Sequence, residues 1–371
     1  MNELLDKLYK KTGGFIKGIC HPNDNYDVLK DAGLRWVRRD IPYPFDKEGN
    51  ITDDYISYKE RCIKFAENGI NCINVTPYPS SFLRRGIDVT TEEGLMKAGE
   101  VCAFIAKDYK GMKSCWQITN EMHVRHFRSP LNEIQAKDFI IACMKGFKKG
   151  DPDAVVGHNS IDRVWMDHCV EIDRECDCDF TGVDLYDGTW SNGGPDTFIP
   201  WVEEIYSHIK KPIIFMEFGF NSNGGVIEDV QAEADSLAQN VGFKNFEDAM
   251  ANMDAFIETF PEPIKRRILH CVPEDRPGCI MQSMLHIAKK WYTDCKIPHT
   301  EEGQAEFYRE LLPKLLNHPY VGGAVIYCLK DSAHCFFCDQ SDCPCETTWG
   351  ILRIDETPKP AYDVIKQIFN D

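Results

Sequence analysis

The sequence predicts a closed (β/α)8 barrel, and three observations carry that reading. Short apolar runs of strand length alternate with longer helical patterns almost from end to end. The strand candidates number eight, and no second composition regime marks another domain. At 371 residues the chain has the size for one such barrel, read here as a single catalytic domain over 1–371. A doubly wound open sheet is built from the same alternation, but it would carry a Gly-rich phosphate loop after the first strand, which is absent here.

The elements follow in order. MNELLDKLYKKTGG reads as a charged amphipathic helix without the apolar core of a signal peptide, which leads us to expect a cytoplasmic protein. Strands are expected at GFIKGIC (14–20), RWVRRDI (35–41), NCINVTP (71–77) and SCWQIT (114–119). DAVVGHN (153–159), DFTGVDLY (179–186), KPIIFMEF (211–218) and VGGAVIYCL (321–329) complete the set. Helices are expected at 25–32, 54–68, 91–109, 131–149, 163–173, 198–208 and 304–317, with a last one at 361–369. Asn68-Gly69 supplies a stop signal, and Thr90 with Glu93 has the spacing of a capping box. The repeat is interrupted once, by about 80 residues (221–300) after the seventh strand, a length that calls for function or structure of its own. Helical patterns at 231–241, 245–260 and 279–292 fill it. It leaves from the C-terminal end of a barrel strand, the face where barrel active sites lie, so we expect a lid or pocket wall.

Composition excludes some partners. A net charge of −17 disfavours nucleic acid and anionic membrane surfaces, and no apolar run approaches a membrane span. Most of the seventeen cysteines, among them Cys62, Cys72, Cys102, Cys115, Cys143 and Cys328, sit inside apolar patterns as small buried hydrophobes.

WQITNEMH (116–123) places Asn120–Glu121 just beyond the fourth strand, and PIIFMEF places Glu217 at the end of the seventh. In a barrel both project into one bowl. Two carboxyls facing each other across a bowl are what glycosidic bond cleavage requires: one protonates the leaving oxygen, the other attacks or stabilises the anomeric carbon.

These motifs resemble those of the retaining (β/α)8 glycoside hydrolases of clan GH-A, most closely families 5 and 39. WQITNEM matches the clan's Asn–Glu pair, PIIFMEFGF its nucleophile strand, and WVRRDIPY and TTWGILRIDETPKPAYDVIKQI also look like clan members. The resemblance implies that Glu121 is the general acid/base and Glu217 the nucleophile of a double displacement on a carbohydrate, with no catalytic cofactor. It further implies that Arg38 and Tyr186 hold Glu217 and that Asn120 binds the sugar 2-hydroxyl. Period-2 alternation turns only one of Arg38 and Arg39 inward, and Arg38 is our choice. Asp184, on the same face as Tyr186, is the alternative polar partner.

His21, His158 and Asn159 fall at the same face and are candidates for sugar hydroxyls. Trp190, Trp349, Trp165 and Tyr78 are candidate stacking surfaces. The clan more often carries a tryptophan on the eighth strand, where this chain has Tyr327 and Cys328. In HCFFCDQSDCPC (334–345), Cys335, Cys338, Cys343 and Cys345 have the chemistry of a structural zinc site, with His334 as a substitute ligand; free thiols or an oxidised pair are the alternatives. We expect an exo-acting or small-substrate β-glycosidase. The other readings are an endo-β-glycanase on glucan, mannan or xylan, a non-catalytic sugar-binding barrel, and a metal-dependent barrel hydrolase or isomerase.

Overall fold

A computed structural model describes residues 3–371. Eight parallel strands close into a barrel: β1 (Ile16–Cys20), β2 (Trp36–Asp40), β3 (Asn71–Val75), β4 (Ser114–Gln117), β5 (Val155–His158), β6 (Phe180–Leu185), β7 (Ile213–Phe218) and β8 (Val321–Ile326). Each pairs with its neighbours in sequence, and β1 pairs with β8 to complete the ring. This is the (β/α)8 barrel that the eightfold alternation predicts.

Alternation along each strand sorts the residues into two layers. Ile16, Trp36, Ile73, Cys115, Val155, Phe180, Ile214 and Val325 pack together inside the ring. Val37, Trp116, Val156, Phe215 and Ala324 belong to the outer layer, packed with the helices. One irregularity breaks the pattern. Val183 pairs with Phe215 but Asp184 pairs with Glu217, so Met216 is an extra residue in β7. The β7–β8 ladder skips at the same place. A bulge of this kind re-aims the next side chain. Met216 joins the inner apolar cluster, and Glu217 immediately after it also reaches into the bowl.

The helices lie close to their expected bounds, including Asp53–Glu67, Glu92–Asp108, Phe198–His208 and Glu301–Leu316. The cap of the third expected helix is displaced by one residue. Thr91, not Thr90, accepts the Gly94 N–H, while Thr90 bonds Asp88. The reciprocal capping box lies instead at Asn132 and Gln135. Between β7 and Glu301 the helices are Val230–Asn240, Phe246–Ala251, Met253–Ile257, Glu262–His270 and Arg276–Ala288. The expected 245–260 helix thus breaks at Asn252, and Glu262–His270 was not anticipated. Ala238, Ala249, Phe256, Ile264, Ile268 and Ile280 form an apolar core continuous with the inner layer of the barrel.

The helices Glu92–Asp108 and Glu133–Gly150 meet backbone to backbone. A Cβ added at Gly146 would stand 2.1 Å from the Gly99 carbonyl oxygen, and one at Gly150 2.2 Å from that of Ala103. Neither contact can yield without moving a helix. Gly146→Ala is therefore expected to lower the unfolding free energy by about 1–3 kcal/mol, read from the denaturation midpoint at unchanged slope.

Candidate active site

Beyond β4 the backbone turns sharply. Thr119 and Glu121 both adopt left-handed conformations, φ 55° and 43°. Non-glycine residues hold such angles only when their surroundings fix them, at about 1–3 kcal/mol each. Here the Thr119 N–H donates to Thr76 Oγ1 (2.9 Å), that of Glu121 to Asn159 Oδ1 (3.0 Å) and that of Met122 to Ser160 Oγ (3.1 Å). Side chains just past the ends of β3 and β5 thereby set the direction in which Asn120 and Glu121 leave the strand.

Arg38 ties this turn to β7. Its Nε donates to Gln117 Oε1 (2.9 Å), Nη1 to Glu217 Oε1 (2.6 Å) and Nη2 to Asn120 Oδ1 (2.6 Å). Tyr186 donates its hydroxyl to the other Glu217 oxygen, 2.6 Å away. Asn120 Oδ1 also accepts from Gln117 and Asn159, so its amide nitrogen is left to face Glu121 Oε2 at 3.3 Å. Arg39, one residue on, points outward onto the Tyr58 ring. The geometry thus joins Arg38, Asn120, Glu121, Asn159, Tyr186 and Glu217 in one network.

The electrostatics separate the two glutamates. Glu217 accepts from a guanidinium on one oxygen and from a phenol on the other. Glu121 is pushed up to about 8, first by removal from water and then by the charge on Glu217, against the pull of Arg38 and the Asn120 hydrogen bond. Asp184 is held well above the carboxylate range by burial and by the charges of Glu217 and Glu121. It accepts from Asn159, and its Oδ1 has no partner. Asp40 and Glu346 are also raised, burial being the largest cause in each, and both feel Glu217.

The other sequence candidates fall unevenly. His21 is exposed at the rim, edge-on to Tyr327 with centroids 5.2 Å apart. His158 is fully enclosed on the opposite face of β5 from Asn159. Alternation turns it away from the bowl, it accepts from the Ser160 N–H, and burial lowers it to about 4. Trp165 is buried among the helices, away from the bowl. Trp349, 2 % exposed, stands edge-on to Tyr186 (5.2 Å) and Tyr327 (5.8 Å) and donates to the Cys345 carbonyl. It buttresses the wall and leaves little face for a ligand. Trp190, half-buried, lies against Trp349 and Trp291. Tyr78 stacks on Phe127 and reaches toward Asp40. Sequence reasoning missed Asp40, Gln117 and Glu346. The first two share an inward face with Arg38 and Cys115 and were open to the same alternation argument. Glu346 lies in a one-turn helix, Pro344–Thr347, too short to give a periodic signal.

The expected thiol set is also rearranged. Cys335, Cys338 and Cys343 converge with His286, contributed by the helix Arg276–Ala288. Cys345 is not among the four groups, and His334 is exposed.

No protein-family model matches the chain, and no curated protein is a significant match. Solved structures do match. A family 39 glycoside hydrolase from Bacteroides cellulosilyticus WH2 superposes with TM-score 0.58 at 14 % identity, over 96 % of this chain and 64 % of that one. A glucosidase from Croceicoccus marinus gives 0.59 at 11 %, over 96 % and 67 %. A β-glucuronidase from Faecalibacterium prausnitzii gives 0.54 at 15 %, over 96 % and 49 %. The chain has their barrel. It spans 64 % of the family 39 enzyme and about half of the glucuronidase, so the likeness is one of fold.

The ion pair at the centre is enclosed, with Arg38 and Glu217 side chains 6 % and 12 % exposed. Removing one member strands the other. Arg38→Met is expected to cost about 3–5 kcal/mol of stability, whereas Arg39→Met, which strands no buried partner acid, costs less; urea unfolding of both variants checks the contrast.

Proposed function

We propose that the chain is a retaining β-glycosidase, with Glu217 as nucleophile and Glu121 as acid/base. One observation carries the reading. Two glutamates at the ends of β4 and β7 share the Arg38–Asn120 network, yet one is dressed with donors and the other is held as an acid. Glycoside hydrolysis needs this division of labour.

In the first step the Glu217 carboxylate attacks the anomeric carbon. The glycosidic C–O bond breaks, and Glu121 gives its proton to the departing oxygen. The Glu217 charge disappears into the glycosyl ester, removing one of the causes that raise Glu121. Glu121, now a carboxylate, takes a proton from water, whose oxygen attacks the anomeric carbon and frees Glu217. The Asn120 amide nitrogen, which reaches Glu121 Oε2 at 3.3 Å, would donate to the sugar 2-hydroxyl. No cofactor enters the scheme.

A neutral glycoside is the substrate class the electrostatics favour. The Glu217 carboxylate faces the bowl, and Arg38, the cation beside it, is already committed to Glu217 and Asn120. A uronate would meet like charge there. The segment after β7, which faces the β8 loop, favours a short or exo-cleaved substrate over a long chain threading the bowl.

Assays of 4-nitrophenyl β-glycosides test this. Neutral glycosides should turn over faster than the β-glucuronide. Glu121→Gln and Glu217→Gln should each lose about 10²–10⁴-fold in rate, and wild-type rates in both would defeat the assignment. Azide should restore turnover to Glu217→Gly with an α-glycosyl azide as product. Because Glu121 must be protonated to act, kcat/KM should fall above about pH 8 and the limb should vanish in Glu121→Gln; a wild-type profile flat to pH 10 counts against Glu121 as the acid.

A further inference from the structure

His286 is the feature that the glycosidase reading leaves unused. It is 1 % exposed, on the buried face of the helix Arg276–Ala288, and stacks on Phe337 with centroids 4.1 Å apart. Here Nε2 has no hydrogen-bond partner, while Nδ1 points between two sulfurs, 3.4 Å from Cys335 Sγ and 3.4 Å from Cys343 Sγ. Cys338 completes the group, and the four ligand atoms lie within 4.8 Å of one another.

Those separations have a chemical meaning. A tetrahedral zinc ion with Zn–S of about 2.3 Å and Zn–N of about 2.0–2.1 Å sets sulfur and nitrogen about 3.5 Å apart. The observed contacts match that spacing. The loop also draws the sulfurs together. Cys335 and Cys338 close a tight turn in which Asp339 N–H donates to the Cys335 carbonyl and Asp339 takes φ 61°. Backbone N–H groups of Phe337 and Cys338 point at the Cys335 sulfur, and that of Gln340 at the Cys338 sulfur.

We propose that His286, Cys335, Cys338 and Cys343 form a structural zinc site that fastens the segment after β7 to the loop after β8. All four protein ligands are supplied, so the site has no open position for substrate and is not catalytic. Its placement explains its use. The ligands come from two chain segments about 50 residues apart, and the same loop runs on to Glu346 and Trp349 at the wall of the bowl. Further contacts follow the same seam: Arg267 to the Phe336 carbonyl, Asn221 to the Pro344 carbonyl, and Lys289 to Asp342. The proposal stands apart from the glycosidase reading, because its tests do not use turnover.

Elemental analysis of the full chain, purified reduced and without a polyhistidine tag, should find about one zinc per molecule. Cys345→Ser should keep the metal, while His286→Ala and Cys338→Ser should lose most of it. Release of the zinc with a mercurial should expose the segment 221–300 to trypsin. If the ligand variants fail to fold, the wild type decides: reduced apoprotein given Co(II) should show thiolate-to-cobalt charge transfer and the strong visible bands of a tetrahedral site. The proposal falls if the wild type neither contains zinc nor gives that spectrum, or if Cys345→Ser loses the metal and His286→Ala keeps it. It falls equally if peptide mapping of protein purified without reductant finds Cys335 and Cys343 joined as a disulfide.

Discussion

The guanidinium of Arg38 is the point on which the bowl depends. It is planar and permanently charged, and its donors reach in three directions. In this chain those directions are Gln117 on β4, Asn120 beyond β4 and Glu217 on β7. One side chain therefore sets the relation between strands on different sides of the ring. A lysine would supply the charge without the fork. The cost of burying the ion pair is met by hydrogen bonds on nearly every polar atom around it, which is the condition under which such a pair holds a structure in register. The strained φ of Thr119 and Glu121 belongs to the same arrangement, since their N–H groups are held by Thr76 and Asn159.

Much of this was legible in the sequence, for reasons that differ by residue. Strand and helix periods differ enough that eight alternations define the barrel. The inward choice of Arg38 over Arg39 follows from alternation on β2, where the run WVRRD is regular. Alternation applied with the same care would have turned His158 outward, since Asn159 beside it claims the inward position. It would not have aimed Glu217. Counting from Ile214 and Met216 sends that residue to the outer layer, and only the extra residue in β7 returns it to the bowl. The glutamate was found by motif and not by period.

What stayed hidden depends on contacts distant in sequence. Spacing within HCFFCDQSDCPC suggests four thiols, because a linear motif contains only its own residues. The imidazole that meets three of them lies 49 residues upstream of Cys335, in an amphipathic helix where a buried histidine has no distinguishing pattern. Thr90 and Thr91 show the local counterpart. Either can cap the helix, and the side-chain bond from Thr90 to Asp88 leaves the role to Thr91.

The core of the segment after β7 has no boundary with the inner layer of the barrel. Phe256, Ile264 and Ile280 belong to the same buried cluster as Trp291, Trp349, Met216 and Val325. A module attached by its ends alone would open and close without disturbing its host. This one cannot move away without wetting the tryptophans behind Tyr186, and with them the donor that orients Glu217. The barrel and its appendage therefore share a single cooperative unfolding unit. A chain shortened by joining β7 directly to Glu301 would be left with a hole in its wall where a smaller barrel has a loop.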